Sequence, residues 1–516
     1  MSTSLIVLPG TSRPGASPAV IRLAQLWRLI PIAFAFSYAA SIPIKHSDLF
    51  YTLANGRRMV ELGQLPLQLD PFTYAPTVAN AYDQPWLAQV LFYLAERVGG
   101  LAGVSFLHAA AITAAVGVLL WLLGAPLVRP GRAEAAAGSG TAAGLALLGL
   151  VLAGTNFNIR PQSLAFLPFV ACLAVVRTTG PRQAWAVPVM GLLAAAWANV
   201  HGSFTLAILV AATHAAGTAI ELVRTRDRAT EALLRHRLWL TVAAALGTWV
   251  NPAGPGVWLY ALSIGGNPVI RQNIQEWWPT TALATLTAQL FVGTLLPILL
   301  LLVVRGRRLR AEDVLLLLAL GGLAIATQRA VAWWGLAVPA VLARTLTGQT
   351  LTRTREVPAI NLTLLAALMG VMLLSLPWLR PVNPLLGAEL RSGPGGGFLS
   401  EDHPSGAVAY LQSVDGGRRV FTRMEWGGYL AWSLWPRQQV FLDARIERHP
   451  PEVWRDYFAI LAGQPDWEAL LERNGGADYL LLERGTLASL AGQVDHSSRW
   501  RLVYADDLSL LYAVQS

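Results

Sequence analysis

The chain has 516 residues, of which 54% are hydrophobic and 13% charged, with a mean hydropathy of +0.46. Soluble globular chains carry about 25% charged residues, so this composition excludes an ordinary soluble enzyme and implies an α-helical polytopic membrane protein. The net charge of +9 comes mostly from arginines in short loops and the 19 Trp residues suit membrane–water interfaces, so the basic excess is topological and no nucleic-acid partner is expected.

Residues 1–28 read as a cytoplasmic N-terminal segment. Arg13, Arg22 and Arg28 precede the first long apolar stretch and no small-residue cleavage site follows it, so that stretch is expected to be retained as a span. Residues 29–379 form the transmembrane part. Apolar runs at roughly 29–44, 104–127, 141–156, 162–176, 184–200, 203–222, 238–250, 286–304, 313–327, 331–346 and 359–378 give about eleven helices of near-spanning length. The single cysteine, Cys172, lies in one of them, so no disulfide is expected within the chain.

Arginine placement sets the orientation. With the N-terminus inside, the inner segments hold 19 arginines and the outer segments only seven basic residues, Lys45, Arg57, Arg58, Arg97, Arg160, Arg271 and Arg329. An odd number of spans then puts the C-terminal region outside the cytoplasm. The inner arginines are expected in solvated loops.

The first outer loop, residues 45–103, carries His46, Asp48, Asp70 and Asp83 among apolar surroundings. Leu49, Leu53, Gly56 and Val60 share one helical face, and Leu87, Val90, Leu91, Leu94 and Val98 share another. These spacings predict two short helices lying flat at the interface. Leu65-Pro66 and Asp70-Pro71 between them are turn signals.

Residues 380–401 read as a linker, flexible at the Gly-Pro-Gly-Gly-Gly run 393–397. Residues 402–516 read as a small extracytoplasmic α/β domain, large enough for one core. Strands are expected at Arg419–Thr422, Gln439–Leu442, Asp478–Leu482, Leu502–Tyr504 and Leu508–Val514, and helices at 404–413, 451–462 and 465–474.

The outer helix ends are polar: Asn156, Asn158 and Arg160; Asn199 and His201; Asn251; Glu276 beside Trp277 and Trp278; Gln328 and Arg329. Ionisable groups at membrane depth are costly and face a cavity or one another, so these ends are expected to converge opposite the first loop. Asp48, Asp70 and Asp83 are the candidate catalytic carboxylates. His46, Arg160, Asn199, His201, Glu276 and Arg329 are the candidate substrate-binding groups. Each has a plainer reading: Asp48 as a helix cap, Asp70 as a turn residue, Asp83 as a loop charge or cap, His201 as a helix-end histidine, Arg160 and Arg329 as interfacial snorkels, and Glu276 as a structural partner of Arg271 or Arg329. Within 402–516, Glu425, Asp443, Arg445 and Glu447 form either a site or structural ion pairs. The chain has no Walker loop, dinucleotide glycine fingerprint, HExxH or CxxC, which argues against an NTP-driven pump or a zinc protease. Its eight histidines have no strong metal-ligand spacing.

Several stretches, in this order, resemble the multi-spanning glycosyltransferases of the GT-C class, especially a bacterial branch. They are His46-Ser47-Asp48-Leu49, Gly63-Gln64-Leu65-Pro66, Asp70-Pro71-Phe72-Thr73-Tyr74, Asp83-Gln84-Pro85-Trp86-Leu87, Arg160-Pro161-Gln162, Trp197-Ala198-Asn199-Val200-His201-Gly202, Asn251-Pro252-Ala253-Gly254 and Glu276-Trp277-Trp278-Pro279, then Glu425-Trp426-Gly427-Gly428-Tyr429-Leu430 and Val440-Phe441-Leu442-Asp443-Ala444-Arg445. The resemblance implies sugar transfer from a polyprenyl-phosphate carrier to an acceptor (glycan, lipid or protein) on the outer face of a bacterial inner membrane, with inversion. It also implies an acidic general base in the first outer loop, where Asp48 has the matching position. The first outer loop departs from the class in lacking an adjacent acidic pair or Asp-x-Asp, so no cofactor is certain, and a divalent metal is possible but not supported by an acidic pair. Two other readings stand beside it. One is a non-catalytic assembly subunit whose C-terminal domain binds a protein partner. The other is a lipid or sugar transporter, which would show internal symmetry and mid-span charges.

Overall fold

The computed structural model describes residues 22–45, 47–63, 70–78, 83–125, 127–129, 132–134, 137–305, 309–346, 357–414 and 418–515. His46, the Leu65-Pro66 turn, most of the N-terminal segment and Arg13, Arg307, Arg308, Arg353 and Arg355 lie outside the described residues.

The chain begins with α1 (Leu23–Ser41), α2 (Ser47–Leu62) and α3 (Trp86–Gly124), followed by the hairpin β1 (Leu127–Arg129) and β2 (Arg132–Glu134). Next come α4 (Ser139–Gly154), α5 (Gln162–Thr178), α6 (Ala186–Ala198), α7 (Thr205–Thr225) and α8 (Arg228–Gly247). Two short helices, α9 (Gly256–Gly266) and α10 (Pro268–Asn273), lead to α11 (Leu286–Arg305), α12 (Ala311–Ala326), α13 (Val331–Leu346) and α14 (Pro358–Leu374). Helices thus occupy each stretch expected to span. Among the described residues four segments, 23–41, 86–124, 202–225 and 286–304, are long and apolar enough to cross a membrane; the other helices there are shorter or carry charge.

Helix α13 is the axis of the bundle, with every residue from Val331 to Thr345 buried. It packs tightly on α4, where Gly335 lies against Leu152 and Gly149. Small residues allow this close backbone approach. Three of the arginines expected in solvated loops are instead buried between helices. Arg177 and Arg344 both bond Asp313, at 2.9 and 2.5 Å, Arg344 also meets Glu312 at 3.1 Å, and Arg237 bonds Glu312. Charges at this depth persist only when paired, and one Glu-Asp dipeptide at the start of α12 serves all three arginines.

The two loop helices also differ from expectation. The segment 86–98 does not stand apart from the following span: α3 is continuous except at Gly100, whose φ of 58° and ψ of −154° suit glycine alone. Helix α2 has its apolar face covered by protein. Its Leu49, Phe50, Leu53 and Ala54 are all 0–1% exposed, held between α3 and a helix of the C-terminal region. The approach to α3 runs through Gly56, where an added Cβ would strike the Gln89 carbonyl and the Tyr93 side chain. Gly56→Ala is therefore expected to cost about 1–3 kcal/mol through overpacking, read as a lowered thermal midpoint.

After α14 the chain does not form a flexible linker. A 3-10 turn (Pro377–Val382), α15 (Ala388–Ser392) and α16 (Pro394–Gly397) follow and pack on one another, the turn also resting on α3. The buried Arg380 guanidinium donates to the carbonyls of Ala40 and Gly397, at 2.5 and 2.6 Å, tying the glycine run to the end of α1. Gly395, Gly396 and Gly397 all have positive φ, so these glycines define a turn.

The C-terminal region contains α17 (Ser405–Ser413), β3 (Arg419–Thr422), α18 (Met424–Leu434), β4 (Gln439–Val440), α19 (Pro451–Leu461), α20 (Trp467–Arg473), β5 (Tyr479–Glu483), α21 (Ala488–His496), β6 (Trp500–Ala505) and β7 (Ser509–Val514). The sheet order is β4-β3-β5-β7-β6, with β3 parallel to β4 and β5, and antiparallel pairing across β5, β7 and β6. The expected strands are present within one or two residues; α18 and α21 were not foreseen. The sheet does not end at β4. Val440 N–H donates to Phe72 O, and Tyr74 and Ala75 N–H groups donate to Val440 O and Phe441 O, at 2.9–3.1 Å. The first loop therefore supplies the edge that β4 would otherwise leave open.

Candidate functional site

Asp48 sits in the first turn of α2, one residue inside the helix. Its carboxylate is 27% exposed and lies 3.8 Å from Nη1 of Arg160. Arg160 belongs to the turn between α4 and α5 and is only 3% exposed. Its Nη1 also donates to Glu276 at 2.8 Å, and Arg329 Nε approaches the same Glu276 oxygen at 3.5 Å. Arg329 stacks over Trp277 with 5.2 Å to the ring centre. Two further ties hold these ends together: Thr327 Oγ1 donates to Glu276 O at 3.0 Å, and Gln328 N–H to Trp278 O at 3.1 Å. Glu276 thus pairs with Arg160 and Arg329, while Arg271 turns away to the Gly265 carbonyl.

Among the described residues Arg160 has more donors than partners: Nε and Nη2 are buried with no hydrogen-bond acceptor there. A guanidinium offers five N–H bonds in a fixed fork, and leaving them unmet in a buried position is costly. The arrangement suits an incoming anion with several oxygens. Burial opposes the charge on Arg160, but Glu276 and Asp48 outweigh it and hold the group more firmly protonated than usual.

Asp70 and Asp83 lie elsewhere. Asp70 closes its own turn, accepting from Phe72 N–H and Thr73 Oγ1 at 3.0 Å each. It also pairs with Arg445 Nη2 at 2.7 Å, and both side chains are 1–2% exposed. Arg445 is chelated in turn by Asp443, at 2.6–3.0 Å. Asp83 is 5% exposed, accepts from Gln89 Nε2 at 2.8 Å and lies 3.4 Å from Arg448. Of the three aspartates, only Asp48 keeps a partly open carboxylate.

Asn199 is spent on structure. Its amide donates to Ala195 O and Val250 O, both at 2.7 Å, and its oxygen accepts from Trp86 Nε1. His201 caps the turn at Gly202 through Nδ1, 3.1 Å from Ser203 N. Burial, with Arg329 and Arg160 nearby, pushes its pKa well down, so it is neutral at physiological pH. Among the described residues no three acidic, histidine or cysteine side chains come together as a metal-ligand set.

Tyr51 joins the two polar clusters and was missed from sequence, although it follows Asp48 by one helical turn. Burial raises its phenol well above the usual range, reinforced by Asp48, Glu447 and Asp83. The Arg445 guanidinium lies over its ring, 5.3 Å from the centre. Tyr260 of α9, which no local pattern marked, donates to Glu447 at 3.4 Å. The site is therefore built from the first loop, the ends of the helices and the 443–449 segment of the C-terminal region.

No protein-family model matches this sequence, and no curated protein matches it by sequence. Solved structures do match in shape. ArnT from Cupriavidus metallidurans, bound to undecaprenyl phosphate, is similar over 95% of this chain and 97% of its own, with 12% identity and a TM-score of 0.52. The arabinofuranosyltransferase AftD from Mycobacteria is similar over 96% of this chain but 40% of its own, at 19% identity and TM-score 0.51. The Archaeoglobus fulgidus oligosaccharyltransferase matches 95% of this chain and 75% of its own, at 12% identity and TM-score 0.50. The chain has the GT-C fold. Within that GT-C fold, the Asp48–Arg160–Glu276–Arg329 cluster lies where the first loop meets the helix ends, and the C-terminal region packs against the first loop.

Proposed function

We propose that this chain transfers a sugar from a polyprenyl-phosphate carrier to a hydroxyl-bearing acceptor on the outer face of the membrane. The observation that carries this reading is Arg160, a buried guanidinium with two donors unmet among the described residues, beside the one partly open aspartate of the first loop. The arginine bias of the loops supports the orientation, with the N-terminus in the cytoplasm and the C-terminal region outside.

The chemistry is a direct displacement. Asp48 takes the acceptor hydroxyl proton as the new bond to the anomeric carbon forms. The bond from that carbon to the lipid phosphate breaks on the opposite side, which inverts the centre. Arg160 and Arg329 receive the charge that develops on the leaving phosphate. Glu276 holds both arginines in place before the donor arrives. The energy comes from the carrier bond, so no nucleotide site is needed.

The test is transfer from a panel of polyprenyl-phosphate sugars by the purified protein, alongside binding of undecaprenyl phosphate. Arg160→Met is expected to weaken undecaprenyl phosphate binding about 10–100-fold, the worth of one to two charge-assisted hydrogen bonds. Undiminished binding by Arg160→Met rejects this phosphate site. Carrier binding without transfer from any donor points instead to a non-catalytic, carrier-binding subunit.

A further inference from the structure

Among the carboxylates around this site, Glu447 is the exception. Asp48, Asp70, Asp83, Glu276 and Asp443 each lie within ion-pair distance of an arginine. Among the described residues no cation comes that close to Glu447, whose side-chain partner is the Tyr260 hydroxyl at 3.4 Å. Such a bond is long for O–H···O⁻. Glu447 is nevertheless placed by a tightly built frame: Arg445 is locked to Asp443 and Asp70, His449 Nδ1 bonds Pro76 O at 2.9 Å, and Arg448 N–H meets Arg445 O at 2.9 Å. Both Glu447 and Tyr260 are partly exposed. Tyr260 lies against Gly202, where an added Cβ would come within 4.0 Å of its ring, beside His201. The charges of Asp48 and Glu447 both raise the Tyr51 phenol.

We propose that Glu447 and Tyr260 hold the acceptor: Glu447 accepts a hydrogen bond from an acceptor hydroxyl, and Tyr260 donates to a neighbouring acceptor oxygen. This rests on the transfer reading above. The C-terminal region then supplies one wall of the acceptor site, while the arginine side takes the donor phosphate. A carboxylate that no cation among the described residues ion-pairs keeps its oxygens open to a neutral hydroxyl, which suits a sugar or polyol acceptor rather than an anionic one. Burial and the nearby charge of Asp83 raise the Glu447 carboxyl above its ordinary 4.5 against the pull of its own backbone N–H, Arg448 and Arg445, so acceptor binding weakens as pH falls through that raised value.

The experiment uses the full-length protein, a farnesyl-phosphoryl sugar donor chosen from the transfer panel, and a series of octyl glycosides as acceptors. Glu447→Gln is expected to raise the acceptor KM about 10–100-fold and Tyr260→Phe several-fold. Undecaprenyl phosphate binding and slow donor hydrolysis by water are expected to stay within about twofold. The acid limb of the acceptor KM profile is expected to vanish in Glu447→Gln. If the wild type transfers and Glu447→Gln keeps its acceptor KM, this proposal falls while the transfer reading stands. If donor binding and hydrolysis fall in parallel as acceptor KM rises, Glu447 is a structural residue and the proposal also falls. A folded wild type that neither transfers nor hydrolyses any donor overturns both.

Discussion

Replacing Asp48 with Asn is expected to lower kcat for sugar transfer about 10²–10⁴-fold, the usual worth of a positioned general base. The substitution keeps size and hydrogen-bonding shape, so folding is expected to hold. Undecaprenyl phosphate binding is expected to persist or tighten, because the change removes a negative charge 3.8 Å from Arg160. Steady-state transfer and carrier binding, measured on the same preparation, separate the two effects. Robust transfer by Asp48→Asn removes it as the base. Asp70→Asn and Asp83→Asn provide the contrast. Their carboxylates are 1% and 5% exposed and already committed to Arg445 and Arg448, so those variants are expected to lose stability first. A selective kcat loss in either, with a normal melting profile, would transfer the role away from Asp48.

The second large effect is expected at Arg445. Its guanidinium is 2% exposed and bonds Asp443 within the C-terminal region and Asp70 in the first loop. Removing one member of a buried charge set leaves the others unpaired, at about 3–5 kcal/mol. Arg445→Met is therefore expected to loosen the C-terminal region from the first loop, read as a lower unfolding midpoint and faster proteolysis between 70 and 83. Combining it with Asp70→Asn and Asp443→Asn is expected to recover part of the loss, because no bare charge remains. A midpoint unchanged by Arg445→Met would show that strand pairing at Phe72–Ala75 suffices for docking.

The same cluster sets an acid limit. Burial pushes the Asp70 carboxyl up, but Arg445, Arg448 and the hydrogen bonds from Phe72 and Thr73 outweigh it and hold its pKa below the ordinary 3.8. A group depressed in the folded state contributes its full stability above the unfolded value and loses it as pH falls through the folded one. Docking is thus expected to hold above about pH 4 and to weaken below it. In Arg445→Met the limit moves to higher pH, because burial is then less opposed.

Much of the helical framework was readable in advance. Apolar runs of near-spanning length mark helices without knowledge of their partners, and alternation with turn residues marked five strands near their true positions. The first loop stood out because carboxylates are costly beside apolar spans. Misreadings arose where distant contacts override local pattern. The glycine run 393–397 has the composition of a free linker, yet Arg380 locks it to α1. Arg177, Arg237 and Arg344 looked like loop arginines, yet Glu312 and Asp313 draw them into the bundle. Helix α2 has the amphipathic spacing of an interfacial helix, but its apolar face is covered by α3 and by α18, where Phe50 meets Tyr429 at 4.9 Å.

Sequence alone determined the class of molecule, the helix positions, the chain order of the polar helix ends and the short list of acidic candidates. These follow from composition and from periodicities of two and 3.6 residues, which each segment carries by itself. Tertiary structure alone separated the three aspartates. It set Asp48 against Arg160, tied Asp70 to Arg445 across 375 residues, and brought Tyr51, Tyr260 and Glu447 together from three remote segments. Pairing between charges so far apart leaves no periodic trace in the chain, because it depends on how helices and sheet edges pack and not on what lies three or four residues away.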